Sequence, residues 1–186
     1  MKYQIDQSGK IEQTNKTTVI AYSNDNQFAL VIPRRLKRRI QEVFRLHGFS
    51  SLFTYYLFSV GLFYLLEHLE KTENIIIDTE YPGKDKIIIS FLKPLLIKNK
   101  KPDHRISFAR IGNRPPAHYA AKDVFDKKKK PDKILRLEDI IRAIKKTDGR
   151  LRECLSTLVD VQTRSIKTKY HKKIKKSRKE RKKKND

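Results

Sequence analysis

Asp78 closes a run of three isoleucines. In NIIIDTEYPGKDK (residues 74–86), Ile75, Ile76 and Ile77 read as a β-strand buried on both faces, and a carboxylate there is costly unless something positive meets it. Glu80 follows two positions later. Asp6 stands in a similar place, at the end of the alternating KYQID, with Ser8-Gly9 supplying turn chemistry behind it. His118 begins a helical pattern in RPPAHYAAKDV, and Asp123 lies five residues on. On a helix those two point about 140° apart, so one ligand does not readily face both. Carboxylates on separate rigid elements are the hard oxygen donors that divalent cations take. The same residues also suit plainer roles. Asp78 and Glu80 can be strand-end acids facing Lys84, Lys86 or solvent, Asp6 an Asx-type turn starter, and His118 a helix-start residue beside Pro115-Pro116. Asp123 and Asp126 match Lys122 and Lys127–Lys130 as ion partners, and His104 and His47 read as loop and helix-end residues.

The elements that must position these groups follow from periodicity. Lys2–Asp6, Thr18–Ser23 and Phe28–Ile32 read as strands of an antiparallel meander, the last two joined by Asn24-Asp25-Asn26. Pro33 ends the sheet, and Leu36, Ile40, Val43 and Phe44 then fall on one helical face. The opposite face carries Arg34, Arg35, Lys37, Arg38, Arg39 and Arg45, a surface expected to contact phosphate. An apolar helix runs from Ser50 or Ser51 to about Glu70, followed by the strand that ends in Asp78. Lys84–Leu96 has helical spacing, which Pro94 is expected to shorten or kink. Arg105–Ile111 alternates as a strand, a helix begins near Ala117, Lys127–Lys130 interrupts it, and Leu137–Lys146 has acids in its first turn and lysines in its last.

This order, β-β-β-α-β-α-β-α, with Asp6 on strand one, Asp78 on strand four and His118 opening the third helix, resembles the ribonuclease H-like superfamily. The resemblance covers about residues 1–146 and lies in element order and placement rather than in a diagnostic string. It implies an α/β fold: a mixed sheet made of an antiparallel three-strand meander plus two parallel strands, flanked by helices. It also implies that Asp6, Asp78 and His118 act as catalytic metal ligands, with Asp123 the alternative third ligand and Glu80 a reserve. Glu42 is the only acid on the helix after strand three, where many members carry a further ligand. The implied cofactor is Mg²⁺ or Mn²⁺. Two such ions about 4 Å apart stabilise the attacking and leaving oxygens of an in-line phosphodiester cleavage.

Composition sets the partner. The 186 residues hold 44 Lys and Arg against 21 Asp and Glu, a net charge of +23, which attracts polyanions, nucleic acid first and anionic membrane second. The expected organisation is one domain at 1–146, a helix at 147–162 and a disordered basic tail at 163–186. Lys172, Lys173, Lys175 and Lys176 in that tail are expected to hold nucleic acid, DNA or RNA, without reading bases. No small-molecule cofactor is called for. A single cysteine, Cys154, rules out an internal disulfide, and the first residues lack the apolar core of a secretion signal. A cytoplasmic setting is the expectation. Three functions remain open: a divalent-metal-dependent nuclease, a non-catalytic RNA- or DNA-binding protein whose acids are structural, and a membrane-anchored basic protein. The third would use Phe49–Leu66, 18 residues without a formal charge.

Overall fold

The computed structural model describes residues 2–24, 26–113 and 115–145. The expected helix at 147–162 and the basic tail, with Lys172, Lys173, Lys175 and Lys176, lie outside the described residues.

β1 (Lys2–Ser8), β2 (Thr18–Ser23) and β3 (Gln27–Ile32) form the antiparallel meander. β4 (Asn74–Asp78) pairs parallel with β1, and β5 (Arg105–Ala109) pairs parallel with β4. A short β6 (Lys133–Ile134) adds to the far edge, parallel with β3, giving the order β5-β4-β1-β2-β3-β6. Five helices flank this sheet: α1 (Arg34–Leu46), α2 (Phe53–Leu66), α3 (Asp85–Lys98), α4 (Pro116–Phe125) and α5 (Leu137–Lys145). The sheet is mixed, with a three-strand antiparallel part and two parallel strands, and is compatible with a ribonuclease H-like fold.

The pleat divides the strands between two cores. Ile5, Ile20, Tyr22, Leu30, Ile75 and Ile77 point into the larger one, which α1, α2, α3 and α5 complete. Val19, Ala21 and Ala29 point the other way, against Ala120, Ala121 and Val124 of α4. That second interface is built from small side chains, so α4 lies close on β1 and β2.

α2 is the apolar segment that resembles a membrane span. It is 14 residues long, about 21 Å, short of the roughly 30 Å hydrocarbon core of a bilayer. Nearly all of it is buried, against β2, β3, α1 and α3. Gly61 permits that contact, since a Cβ there would stand 2.7 Å from Ile20 Cδ1. No described helix is long and apolar enough to cross a membrane.

Two elements depart from expectation. α3 runs unbroken through Pro94 to Lys98. The carbonyl that loses its N–H partner is that of Ser90, an exposed residue, so water can satisfy it. β6 has no counterpart in the sequence pattern because it is only two residues long. It is held by its neighbours instead: Asp132 accepts the Ala29 N–H through its carboxylate (2.7 Å) and donates its own N–H to the Ala29 carbonyl (3.0 Å).

Lys37 corrects the basic face of α1. Arg34, Arg35 and Arg38 are exposed and Arg39 is half-buried, but Lys37 is fully buried. Its Nζ donates to the carbonyls of Lys10 (2.9 Å) and Gln13 (2.9 Å) and to Thr18 Oγ1 (2.8 Å). Burial lowers its pKa from 10.5 to about 8. All three ammonium protons are thereby used, two tying the loop between β1 and β2 to α1 and one reaching the first residue of β2, and Arg38 Nε adds a bond to the Thr14 carbonyl (3.1 Å). Lys37→Met should therefore lower stability by about 1–3 kcal/mol, with faster amide exchange concentrated in residues 10–18. Arg35→Gln, on the exposed face, should stay within about 0.5 kcal/mol in the same denaturant melts. Equal effects from the two would contradict this role.

Candidate metal centre

The site lies where β1 and β4 end side by side. Their register pairs Ile5 with Ile77, which sets Asp6 beside Asp78, both on the face covered by α4. The chain then turns tightly, Glu80 N–H to Asp78 carbonyl at 2.8 Å, and Glu80 folds back over the pair. Asp6, Asp78 and Glu80 each present one carboxylate oxygen within 4.8 Å of the other two. These oxygens open into a cavity of about 410 Å³ that Gln7, Gly112, Asn113 and His118 also line.

Each acid is held by its surroundings. Asp6 is buried, its Oδ1 accepting the Gln7 N–H (2.6 Å) and its Oδ2 lying 2.9 Å from His118 Nδ1. Asp78 Oδ1 accepts the Ile111 N–H at 3.0 Å, which ties β4 to the turn after β5. Glu80 is fixed through its neighbour. The Tyr81 ring packs edge-on against Tyr55 and Phe58, and its hydroxyl lies 3.3 Å from Gln7 Nε2 and 3.2 Å from Glu12 Oε2. α4 begins with Pro115 and Pro116, a favoured helix start, and so places His118 in its first turn over the ends of β1 and β4.

The electrostatics are those of crowded acids. Burial pushes the Asp6 carboxyl up from 3.8, the bonds from Gln7 and His118 pulling the other way and the charge of Asp78 adding to burial. Burial, then Asp6, then Asp78 push Glu80 from 4.5 to about 7. Among the described residues no lysine or arginine forms an ion pair with any of the three. Three carboxylate oxygens this close together, two of them on residues disfavoured as anions, could hold a metal ion.

The sequence-derived candidates thus separate. Asp6, Asp78 and Glu80 come together, and His118 meets them through Asp6. Asp123 is elsewhere, 3.5 Å from Lys129 Nζ, while Asp126 pairs with Lys122 at 3.0 Å. Glu42 is exposed and paired with Arg45. His104 is a loop residue, as expected, but a buried one, its Nδ1 accepting the Glu73 N–H at 3.3 Å. Gln7, Tyr81 and Asn113 are the site residues that sequence reading misses. Gln7 and Tyr81 are flagged there only by adjacency to Asp6 and Glu80, and Asn113 only by the turn after β5.

The chain is a mixed α/β protein carrying an acidic cluster that could hold a metal ion. No family model, characterised protein or solved structure matches it.

Folded Glu80 retains a proton that the unfolded chain has released across the window from 4.5 to about 7. Its contribution to stability is therefore full at low pH and is lost as pH rises through that window. In chelator, Tm should fall over this range more steeply for the native chain than for Glu80→Gln. Mn²⁺ at about pH 7.5 should raise the native Tm and leave Asp78→Asn unmoved. Parallel pH curves and indifference to Mn²⁺ would contradict the cation reading.

Proposed function

We propose that the protein is a divalent-cation-dependent nuclease of ribonuclease H-like type, cleaving phosphodiester bonds in nucleic acid. The observation that carries this is the convergence within 4.8 Å of oxygens from Asp6 on β1, Asp78 at the end of the adjacent parallel strand β4, and Glu80 in the turn that follows, in a chain of net charge +23. Mg²⁺ or Mn²⁺ held there would stabilise the attacking and leaving oxygens of an in-line displacement.

The chain's own residues do the rest. A proton on His118 Nδ1 lets that ring donate to Asp6 Oδ2, while the Gln7 N–H fixes Oδ1, so the carboxylate is aimed before any ligand arrives. His118 thus acts as a positioning residue, and the ligands proposed are Asp6, Asp78 and Glu80. Glu80, whose carboxyl lies near 7, can hold a proton at neutral pH when no cation is present. The exposed Arg34, Arg35 and Arg38 of α1 and the lysines at 172, 173, 175 and 176 supply sequence-blind phosphate contacts.

A second reading keeps the binding and drops the chemistry. Asp6 and Asp78 already have protein donors in Gln7, His118 and Ile111, as structural acids would. In that case binding survives Asp6→Asn and Asp78→Asn and needs no metal.

A labelled panel of single-stranded, duplex, hybrid and branched substrates, incubated with Mg²⁺, Mn²⁺ or chelator, separates the two. Cleavage should require the cation, fall by more than about 100-fold in Asp78→Asn with binding retained, and fall about 10- to 100-fold in His118→Ala. Equal binding by native chain and variant, with neither cutting any substrate, would establish the non-catalytic reading.

A further inference from the structure

A second cavity, of about 510 Å³, opens at the other end of α4. Its floor is apolar, made by Val19 of β2, Val31 of β3, and Val124 and Phe125 of α4. Its rim is four consecutive lysines, Lys127–Lys130. The rim is anchored at both ends. The Asp123 carbonyl accepts the N–H groups of Lys128 (2.7 Å) and Lys129 (3.1 Å), and beyond Pro131 the two hydrogen bonds between Asp132 and Ala29 secure the chain to β3. Lys127 itself adopts φ 62°, the left-handed conformation in which glycine or asparagine ordinarily ends a helix. A cation is thus kept where the backbone favours a residue without one. Lys129 leans on Asp123 at 3.5 Å, whereas Lys127, Lys128 and Lys130 have no carboxylate partner among the described residues.

We propose that this cavity is a subsite for single-stranded nucleic acid, taking one unstacked base on its apolar floor and the flanking phosphates on Lys127–Lys130. The two halves of the site select that ligand together. Four adjacent cations require a polyanion, and a recessed floor of two valines from the sheet plus Val124 and Phe125 requires a flat apolar group. A single strand offers both, since every base has a face that stacks on an aromatic ring. A duplex keeps its bases stacked inside and offers phosphates alone. An acidic peptide has no ring built into each charged repeat, as a strand does.

Position connects the subsite to the acidic cluster, and in that respect the inference rests on the nuclease reading. β1, β3 and β4 all end at the rim of the sheet where both cavities open, and α4 lies between them. Its 10 residues span about 15 Å, so one strand of a few nucleotides could reach from one cavity to the other. Phe125 also leans on Gly9, three residues beyond Asp6. A Cβ at Gly9 would stand 2.6 Å from Phe125 Cε2, so a base on Phe125 is one contact from the turn that closes β1.

The test uses the full chain in chelator, with fluorescent oligothymidylates of about three and about twelve nucleotides. The triple variant Lys127→Gln/Lys128→Gln/Lys130→Gln changes only exposed side chains. It should bind the longer oligomer about tenfold more weakly and flatten its log–log salt dependence by about 2, at roughly 0.7 per phosphate contact. The shorter oligomer, which still carries one base between two phosphates, should weaken in the same direction with a smaller change in salt dependence. An iodouracil-substituted oligomer photocrosslinked to the native chain should mark Phe125 or its immediate neighbours. The proposal is overturned if the triple variant binds the longer oligomer like the native chain, if crosslinks map only outside residues 119–131, or if polyglutamate displaces the oligomer as well as unlabelled strand does. Crosslinking at Phe125 by a protein that cuts nothing with Mn²⁺ would sink the nuclease reading and leave the subsite standing. Metal-dependent cutting with unchanged affinity in the triple variant would do the reverse.

Discussion

The parallel register of β1 on β4 is the constraint from which the rest follows. Ile5 pairs with Ile77, and Ile5, Ile75 and Ile77 are buried in the core beneath α2 and α3. Because side chains alternate across a sheet, burying these isoleucines drives Asp6 and Asp78 to the opposite face at adjacent positions. A slip of one residue would send the acids into the apolar core. The magnitudes favour the observed pairing. Burial of three isoleucines is worth about 5–9 kcal/mol, while two carboxylate charges about 5 Å apart repel by roughly 3 kcal/mol at an effective dielectric near 20. The core can therefore hold two like charges together, and the remaining repulsion is what a divalent cation would relieve.

The second determinant is the size of the side chains between α4 and the sheet. Ala21 and Ala29 face Ala120, Ala121 and Val124, so the helix comes near enough for His118 Nδ1 to lie 2.9 Å from Asp6 Oδ2. The same close seating leaves a recess where α4 ends, because beyond Val124 the chain turns sharply at Lys127 instead of continuing over Val19 and Val31. One short helix thereby shapes both cavities. The loop between β1 and β2, tied down by Lys37 from one side and touched by Tyr81 from the other, closes the rim between them.

Much of this is legible in the sequence, and the parts that are not have physical reasons. Asp6 stands out because it follows an alternating strand pattern just before a turn and Asp78 because it closes an apolar one, and their meeting follows once β1 and β4 are taken as neighbours. Glu80 is harder to read. Its place depends on the turn after Asp78 and on Tyr81, whose hydroxyl partners lie about seventy residues away in sequence. Lys37 falls in a run of arginines and looks like one more exposed cation. Only the fold shows that the loop carbonyls of Lys10 and Gln13 come within its reach. α2 is ambiguous by composition alone, since a helix buried on all sides by protein and one buried by lipid are both apolar all round. The choice between His118 and Asp123 is a question of helix phase, decided by the alanine face that α4 turns to the sheet.

The most direct test of the central claim is the anomalous scattering of a crystal grown or soaked with Mn²⁺. A peak bounded by the carboxylates of Asp6, Asp78 and Glu80 is expected, with metal–oxygen distances of about 2.0–2.5 Å, and His118 still on Asp6. No peak at saturating Mn²⁺, with Asp6 and Asp78 keeping only their protein donors, would contradict it and make the acidic cluster a structural feature of the sheet.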